Sequence, residues 1–148
     1  RYPHAVLFGM LVSGYVNGDH HGILYIRAEY PEAVRTVEKA MEQLKSAGLC
    51  GDNILGSGFD FQFKIIQAQG SYICGEETAL INSIEGQRPE VRVRPPYPAQ
   101  RGLFNKPTVV NNVETFLAAV DRVLVIEELE HDFVSRAIAS WSANPKIV

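Results

Sequence analysis

The sequence predicts an α/β fold, and three observations carry that prediction. "ILYIRA", Ile23 to Ala28, is rich in β-formers and reads as a buried strand. "FDFQFKIIQAQ", Phe59 to Gln69, alternates well enough to read as a second strand. Between them lies an amphipathic helix that opens at Pro31. A β–α–β order with a helix of this length implies a parallel strand pair joined by a right-handed crossover.

The elements follow in order. "PHAVLFGMLVSGYVNG" reads as a mostly buried helix with Val6, Leu7, Met10 and Leu11 on one side, and "NGDHHG" breaks it. His20 and His21 are adjacent and tend to point apart, so they read as a solvated turn rather than a metal site. Pro31 sits where its missing N–H costs little. Val34, Val37, Met41 and Leu44 form the apolar stripe of the second helix, and Gly48 is its stop. "GSG" at Gly56–Gly58 precedes a strand, not a helix, and reads as a plain turn. Gly75 begins a further helix, with Ala79, Leu80, Ile81 and Ile84 as core candidates and Gly86 as its end. From Gln87 to Pro107 no periodicity survives, and Pro89, Pro95, Pro96, Pro98 and Pro107 make this a long, stiff, extended loop of a functional kind. "TVVNNVETFLAAV" reads as a short strand turning into a helix, capped by Asn111 or Asn112.

The totals exclude several classes. A chain of 148 residues supports one core, and 46% hydrophobic with 21% charged residues describes a soluble globular domain. A net charge of −3 does not suggest nucleic-acid binding. The apolar runs are too short to span a membrane, and no signal peptide is visible. Cys50 and Cys74 form no CxxC, which points to a reducing compartment and away from a cysteine cage for zinc or an iron–sulfur cluster. The chain opens on Arg1 rather than Met, so a fragment or processed product is expected.

The chemistry concentrates in "GSYICGEETALINSIEG", Gly70 to Gly86. A helix N-terminus exposes unpaired N–H groups and partial positive charge. Glu76 and Glu77 either complement that dipole, or they accept hydroxyl hydrogen bonds from a ribose while the N–H groups meet a ring or phosphate that Gly75 lets approach. Cys74, with no histidine near it in sequence, reads as a packed residue rather than a nucleophile. In "RPEVRVRPPYPAQ", Arg88, Arg92 and Arg94 form either a solvated charge run or a functional edge. If the segment is extended, "VRVR" points both of its arginines to one side, and Tyr97 could stack on a base.

The stretches "ILGSGFDF" and "GSYICGEETALINSIEGQRPEVRVRPPYPAQRGLFNKPTVVNNVET" resemble the NADH-binding flavoprotein subunit, 51-kDa type, of respiratory complex I. The same module occurs in NAD-reducing hydrogenases and NAD-dependent formate dehydrogenases. The resemblance runs over about residues 1–120. It implies a Rossmann-like α/β domain that holds FMN and NADH, with hydride passing from nicotinamide to flavin and electrons leaving singly to iron–sulfur centres. It implies that Gly75, Glu76 and Glu77 sit against flavin and nucleotide, with Glu76 nearest the chemistry. Glu77 would accept from the adenosine ribose. Val110, Asn111, Asn112 and Thr115 would lie near the flavin phosphate and ribityl chain. Arg94 replaces a frequent lysine, and Tyr97 replaces a frequent phenylalanine that packs on adenine; both keep a cation and an aromatic face.

The departures from that family set further expectations. Its glycine- and arginine-rich flavin loop and its acidic "DEGEP"-type segment belong upstream of Arg1, so the domain is expected to be incomplete at its N-terminus and to hold FMN poorly alone. The four cysteines of its 4Fe-4S cluster belong downstream and are absent from this sequence. Residues 121–148 read as a divergent tail of unclear origin. The expected partners are NADH and the iron–sulfur subunits, of the 24-kDa type and the large type, with no nucleic acid and no direct membrane insertion. The expected location is the cytoplasm, peripheral on the inner face of the membrane. Two function classes remain: part of an FMN/NADH oxidoreductase, or a non-catalytic remnant that keeps the fold.

Overall fold

The computed structural model describes residues 3–69 and 72–121. The predicted tail therefore lies, from residue 122 onward, outside the described residues. The chain divides into two compact units. One takes in the chain to Leu24, Pro31–Ile65 and the segment from Val113; the other is Tyr25–Tyr30 with Ile66–Asn112.

Among the described residues, the first unit is built on three α-helices. Helix α1 spans Pro3–Asn17 and buries Leu7, Phe8, Met10 and Leu11. Val6, expected on the same side, is only partly buried. Helix α2 spans Pro31–Ser46 and buries Val34, Ala40 and Leu44, with Val37 and Met41 half-buried beside them. Gly48 ends it at φ +72, a conformation that favours glycine. Helix α5 spans Val113–Asp121.

Two apolar clusters hold these elements. Phe8 and Leu11 pack with Ile54, Phe59 and Phe61, and Leu7 packs with Ala40, Leu44 and Leu49. Each such large side chain, taken fully from water, contributes ~1.5–3 kcal/mol. Two glycines permit the close packing of α1. A Cβ on Gly14 would run into the Phe61 ring, and one on Gly9 would lie 2.5 Å from the Phe116 carbonyl of α5.

Strand β1 spans His21–Arg27 and strand β2 spans Gln62–Ala68. The two form one sheet. The Gln62 N–H donates to His20 O, and further along the Ala28 N–H donates to Ala68 O. The strands therefore run in the same direction, as the β–α–β order requires. Strand β2 starts later than expected because Phe61 is held in an antiparallel bridge to Gly51, with hydrogen bonds of 2.8 and 2.9 Å. Gly56 and Gly58 stand at φ +74 and +77, so backbone geometry alone accounts for "GSG" as a turn. The exposed His20 ring lies with Nδ1 2.9 Å from the Asp60 carbonyl beside it.

The second unit contains helix α3, Glu77–Ile84, and helix α4, Pro98–Arg101. Three expectations need correction here. Helix α3 begins at Glu77 rather than Gly75, because Tyr72–Gly75 make a 3-10 turn and Glu76 is extended at φ −85, ψ 135. The proline-rich loop is not wholly structureless, since α4 and a 3-10 turn at Leu103–Asn105 interrupt it. The short strand expected before α5 does not form, because the described sheet offers it no partner.

Gly14→Ala forces a methyl group into the ring of Phe61, which is itself 2% exposed. It should destabilise the protein by about 1–3 kcal/mol. Thermal unfolding monitored by circular dichroism should show a midpoint several degrees lower; an unchanged midpoint would mean that α1 and Phe61 are farther apart than described.

Candidate functional site

The start of α3 is organised by one carboxylate. Glu76 caps the helix, and its Oε2 accepts from the N–H groups of Thr78 and Ala79, both at 2.9 Å, and from the Thr78 hydroxyl at 2.5 Å. These are donors that every helix start leaves unpaired. The expectation that a phosphate or ring would meet them is corrected for these two groups, because the protein's own side chain takes them. Burial alone would raise the pKa of Glu76. The Thr78 hydroxyl, the Ala79 N–H, the Arg94 charge and the Thr78 N–H together outweigh it and hold the carboxyl below its ordinary value. These bonds favour the ionised form of the carboxylate.

The other oxygen of Glu76 faces the loop. Arg94 pairs with Glu76 Oε1, and the same Arg94 Nη2 lies 3.0 Å from Glu77 Oε1. Arg92, two residues earlier, turns to the same helix. Its Nε donates to Asn82 Oδ1 at 2.7 Å and its Nη2 to Glu85 Oε2 at 2.5 Å, while its backbone N–H donates to Thr78 Oγ1 at 2.9 Å. Val91 and Val93 point outward, 57% and 89% exposed. The alternation read from "VRVR" thus places both arginines on α3.

Gly75 needs no glycine for the sake of the protein itself. It has no left-handed φ, and a Cβ there would meet nothing within 4 Å among the described residues. Tyr72, three residues earlier, is 95% exposed. The junction is therefore an open face with a bare backbone turn, an exposed aromatic ring and two carboxylates held by one arginine. Tyr97 begins α4, its N–H donating to Gln100 Oε1 at 3.3 Å, and remains 54% exposed. Beneath the junction Cys74 is buried, and Tyr25 bonds to Ser83 Oγ at 2.9 Å. Burial raises the pKa of the Tyr25 phenol.

The structure brings Gly75, Glu76, Glu77 and Arg94 together and leaves Tyr97 open three residues beyond. Val110, half-buried, and Asn111 and Asn112, both exposed, close the second unit in sequence. Thr115 belongs to α5 in the other unit. Sequence reasoning missed Thr78, Asn82, Glu85 and Tyr72. The first three stand at i, i+4 and i+7, a polar stripe on an otherwise apolar helix, and that spacing was the available signal. An open cleft of about 360 Å³ along the loop is lined by Glu85, Arg92, Val93, Pro96 and Arg101 among others, but includes neither Glu76 nor Arg94.

The parallel pair, its helical crossover and the open carboxylate-bearing turn define an α/β domain. The chain belongs to the Nuo51 FMN-binding domain family, which it matches over residues 1–121. It is 52% identical over 114 residues to the NADP-reducing hydrogenase subunit HndC of Solidesulfovibrio fructosivorans, covering 77% of this chain and 23% of that protein. It is 51% identical over 147 residues to an NADH-quinone oxidoreductase subunit of Aquifex aeolicus (strain VF5), covering 99% of this chain and 34% of that protein. The latter match takes in the segment beyond Asp121. An NAD+-reducing [NiFe]-hydrogenase in the H2-reduced state superimposes with a TM-score of 0.72 at 39% identity, over 82% of this chain and 20% of that one. The chain thus spans about a quarter to a third of the length of the curated relatives it matches. No helix among the described residues is long and apolar enough to cross a membrane.

Glu76→Gln keeps an acceptor at the cap but removes the charge, and should cost about 1 kcal/mol of stability at neutral pH. The folded pKa lies below the ordinary value of 4.5, so the charged cap stabilises the fold above that pH. Its contribution is lost as pH falls through the folded pKa. Denaturant titrations from pH 7 to pH 3 should therefore show the gap between wild type and Glu76→Gln closing below pH 4.5; a constant gap would remove the charge from the cap.

Proposed function

We propose that this chain supplies part of the FMN/NADH site of an NADH-oxidising flavoprotein, which passes hydride from NADH to FMN and electrons onward to iron–sulfur centres. Family membership over residues 1–121 and the open Gly75 turn support the reading. The partners proposed are NADH and iron–sulfur subunits of the same complex, and the location is a cytoplasmic one, peripheral to the membrane. The relatives named above are subunits of multi-component oxidoreductases, in keeping with such partners.

FMN, when bound, accepts a hydride and releases its electrons one at a time. Toward it, Gly75 offers a backbone turn without a side chain, and Val110, Asn111, Asn112 and Thr115 are the residues proposed to hold its phosphate and ribityl chain. Glu76 is assigned a fixed negative charge beside the reacting groups rather than a proton-transfer role, because its pKa is lowered. Arg94 supplies a cation and Tyr97 an aromatic face for the nucleotide. Glu77 accepts from the ribose hydroxyls and repels a 2′-phosphate, which favours NADH over NADPH.

The observation that carries the reading is that, among the described residues, nothing occupies the space a Cβ on Gly75 would enter. In the assembled enzyme, Gly75→Ala should leave the unfolding midpoint unchanged or slightly higher, since the backbone there suits alanine. The same variant should lower FMN content and NADH oxidation. Unchanged flavin content and activity would remove Gly75 from the flavin site. In the same enzyme, Glu77→Gln should narrow the NADH/NADPH ratio of kcat/KM by about ten- to a hundredfold at constant flavin content. A ratio that does not move returns Glu77 to a dipole-complementing role.

A further inference from the structure

We infer that Arg92 is a positioning residue for the nucleotide site, acting through α3 to set the place of Arg94; the inference rests on the reading of Arg94 as a nucleotide contact. Arg92 is 31% exposed and its partner Glu85 only 10%. The Arg92 guanidinium uses two of its nitrogens at once, one on Asn82 and one on Glu85. Its fixed planar fork suits two acceptors in a set geometry, which a lysine ammonium does not reproduce.

The bonds around it tie the loop to the helix at both edges. Asn82 Nδ2 donates to Glu90 O at 2.7 Å, so the buried amide of Asn82 is used on both sides, by Glu90 and by Arg92. Glu85 is shared as well, its Oε1 accepting from the Phe104 N–H at 2.7 Å. Thr78 is the link to the site. Its hydroxyl accepts from the Arg92 N–H and donates to Glu76 Oε2, which uses the single hydroxyl proton and one lone pair. Glu76 then meets Arg94 with its other oxygen. The route from Arg92 through Thr78 and Glu76 to Arg94 closes on itself, since Arg94 lies two residues from Arg92 in an extended segment. Without the clamp, Arg94 would have only the loop backbone and its own ion pairs to place it.

The hydrogen bonds of Arg92 go to α3 and to Glu85 just past its end, and none goes to the turn at Gly75, although Arg92 also lines the open cleft along the loop. A change there should therefore alter nucleotide affinity through Arg94 and not through a contact of its own. The test uses the assembled enzyme with Arg92→Gln, Arg92→Lys, Arg94→Ala and the Arg92→Gln/Arg94→Ala double variant. Steady-state NADH oxidation, FMN content and the unfolding midpoint are measured for each. Arg92→Gln should raise the KM for NADH about tenfold, the equivalent of one charge-assisted hydrogen bond, with kcat within about twofold and FMN content unchanged. Arg92→Lys keeps the charge on Glu85 and loses the second planar donor, so it should fall between; it decides the matter if Arg92→Gln does not fold. On an Arg94→Ala background, Arg92→Gln should add less than about twofold, because both act on the same contact. Multiplying effects, or an unchanged KM in the Arg92 variants while Arg94→Ala raises it, would overturn the positioning role. An Arg94→Ala variant with normal KM would remove the nucleotide reading itself and the inference with it, and that failure is visible in the single variant alone.

Discussion

The carboxylate of Glu76 is the constraint on which the second unit depends. A helix start leaves backbone donors that must be paired, and Glu76 pairs two of them with a single oxygen. That choice fixes the side chain against the backbone and points its other oxygen at Arg94. Charge follows geometry here. The same bonds that cap the helix lower the carboxyl's pKa against the opposing effect of burial. Arg94 lies between this carboxylate and that of Glu77.

The loop that follows solves a different problem. Residues 87–97 form neither helix nor strand, so their backbone groups and side chains need other partners. Helix α3 provides them as a polar stripe, Thr78, Asn82 and Glu85, two of which are buried in a helix that otherwise packs Ala79 and Ile81 inward. A buried polar group of this kind is costly when unpaired and stabilising when every bond is made. Here the stripe is occupied by Arg92, Glu90 and Phe104. An extended segment with alternate arginines is therefore bonded over the helix, with its valines left to the outside.

The first unit is closely packed. Phe61 sits in the gap left by Gly14, and the paired clusters around Phe8 and Leu7 bury the faces of α1 and α2. A tightly packed core of this sort is intolerant of added volume. In sequence, β2 is followed by the 3-10 turn at Tyr72–Gly75 that leads into α3.

The sequence by itself determined what depends on period and on local backbone preference. The apolar stripe of α2, its stop at Gly48, the turn at Gly56–Gly58 and the parallel sense of the strands all follow from residues close together in the chain, and so does the end of α3 at Gly86. The motif from Gly75 to Glu77, with the segment to Thr115, was distinctive enough to indicate the family. Tertiary structure alone decided how the carboxylates are used. Whether Glu76 greets a ligand or caps its own helix depends on two backbone dihedrals, and both readings suit the same four letters. Whether "VRVR" is a solvated run or a clamp depends on Asn82 and Glu85, ten and seven residues before Arg92. Strand β2 was overextended because alternation continues through Phe59 and Phe61, while a bridge to Gly51 takes Phe61 out of the sheet. In each case local pattern sets which groups are available, and only their partners across the fold settle which bonds they make.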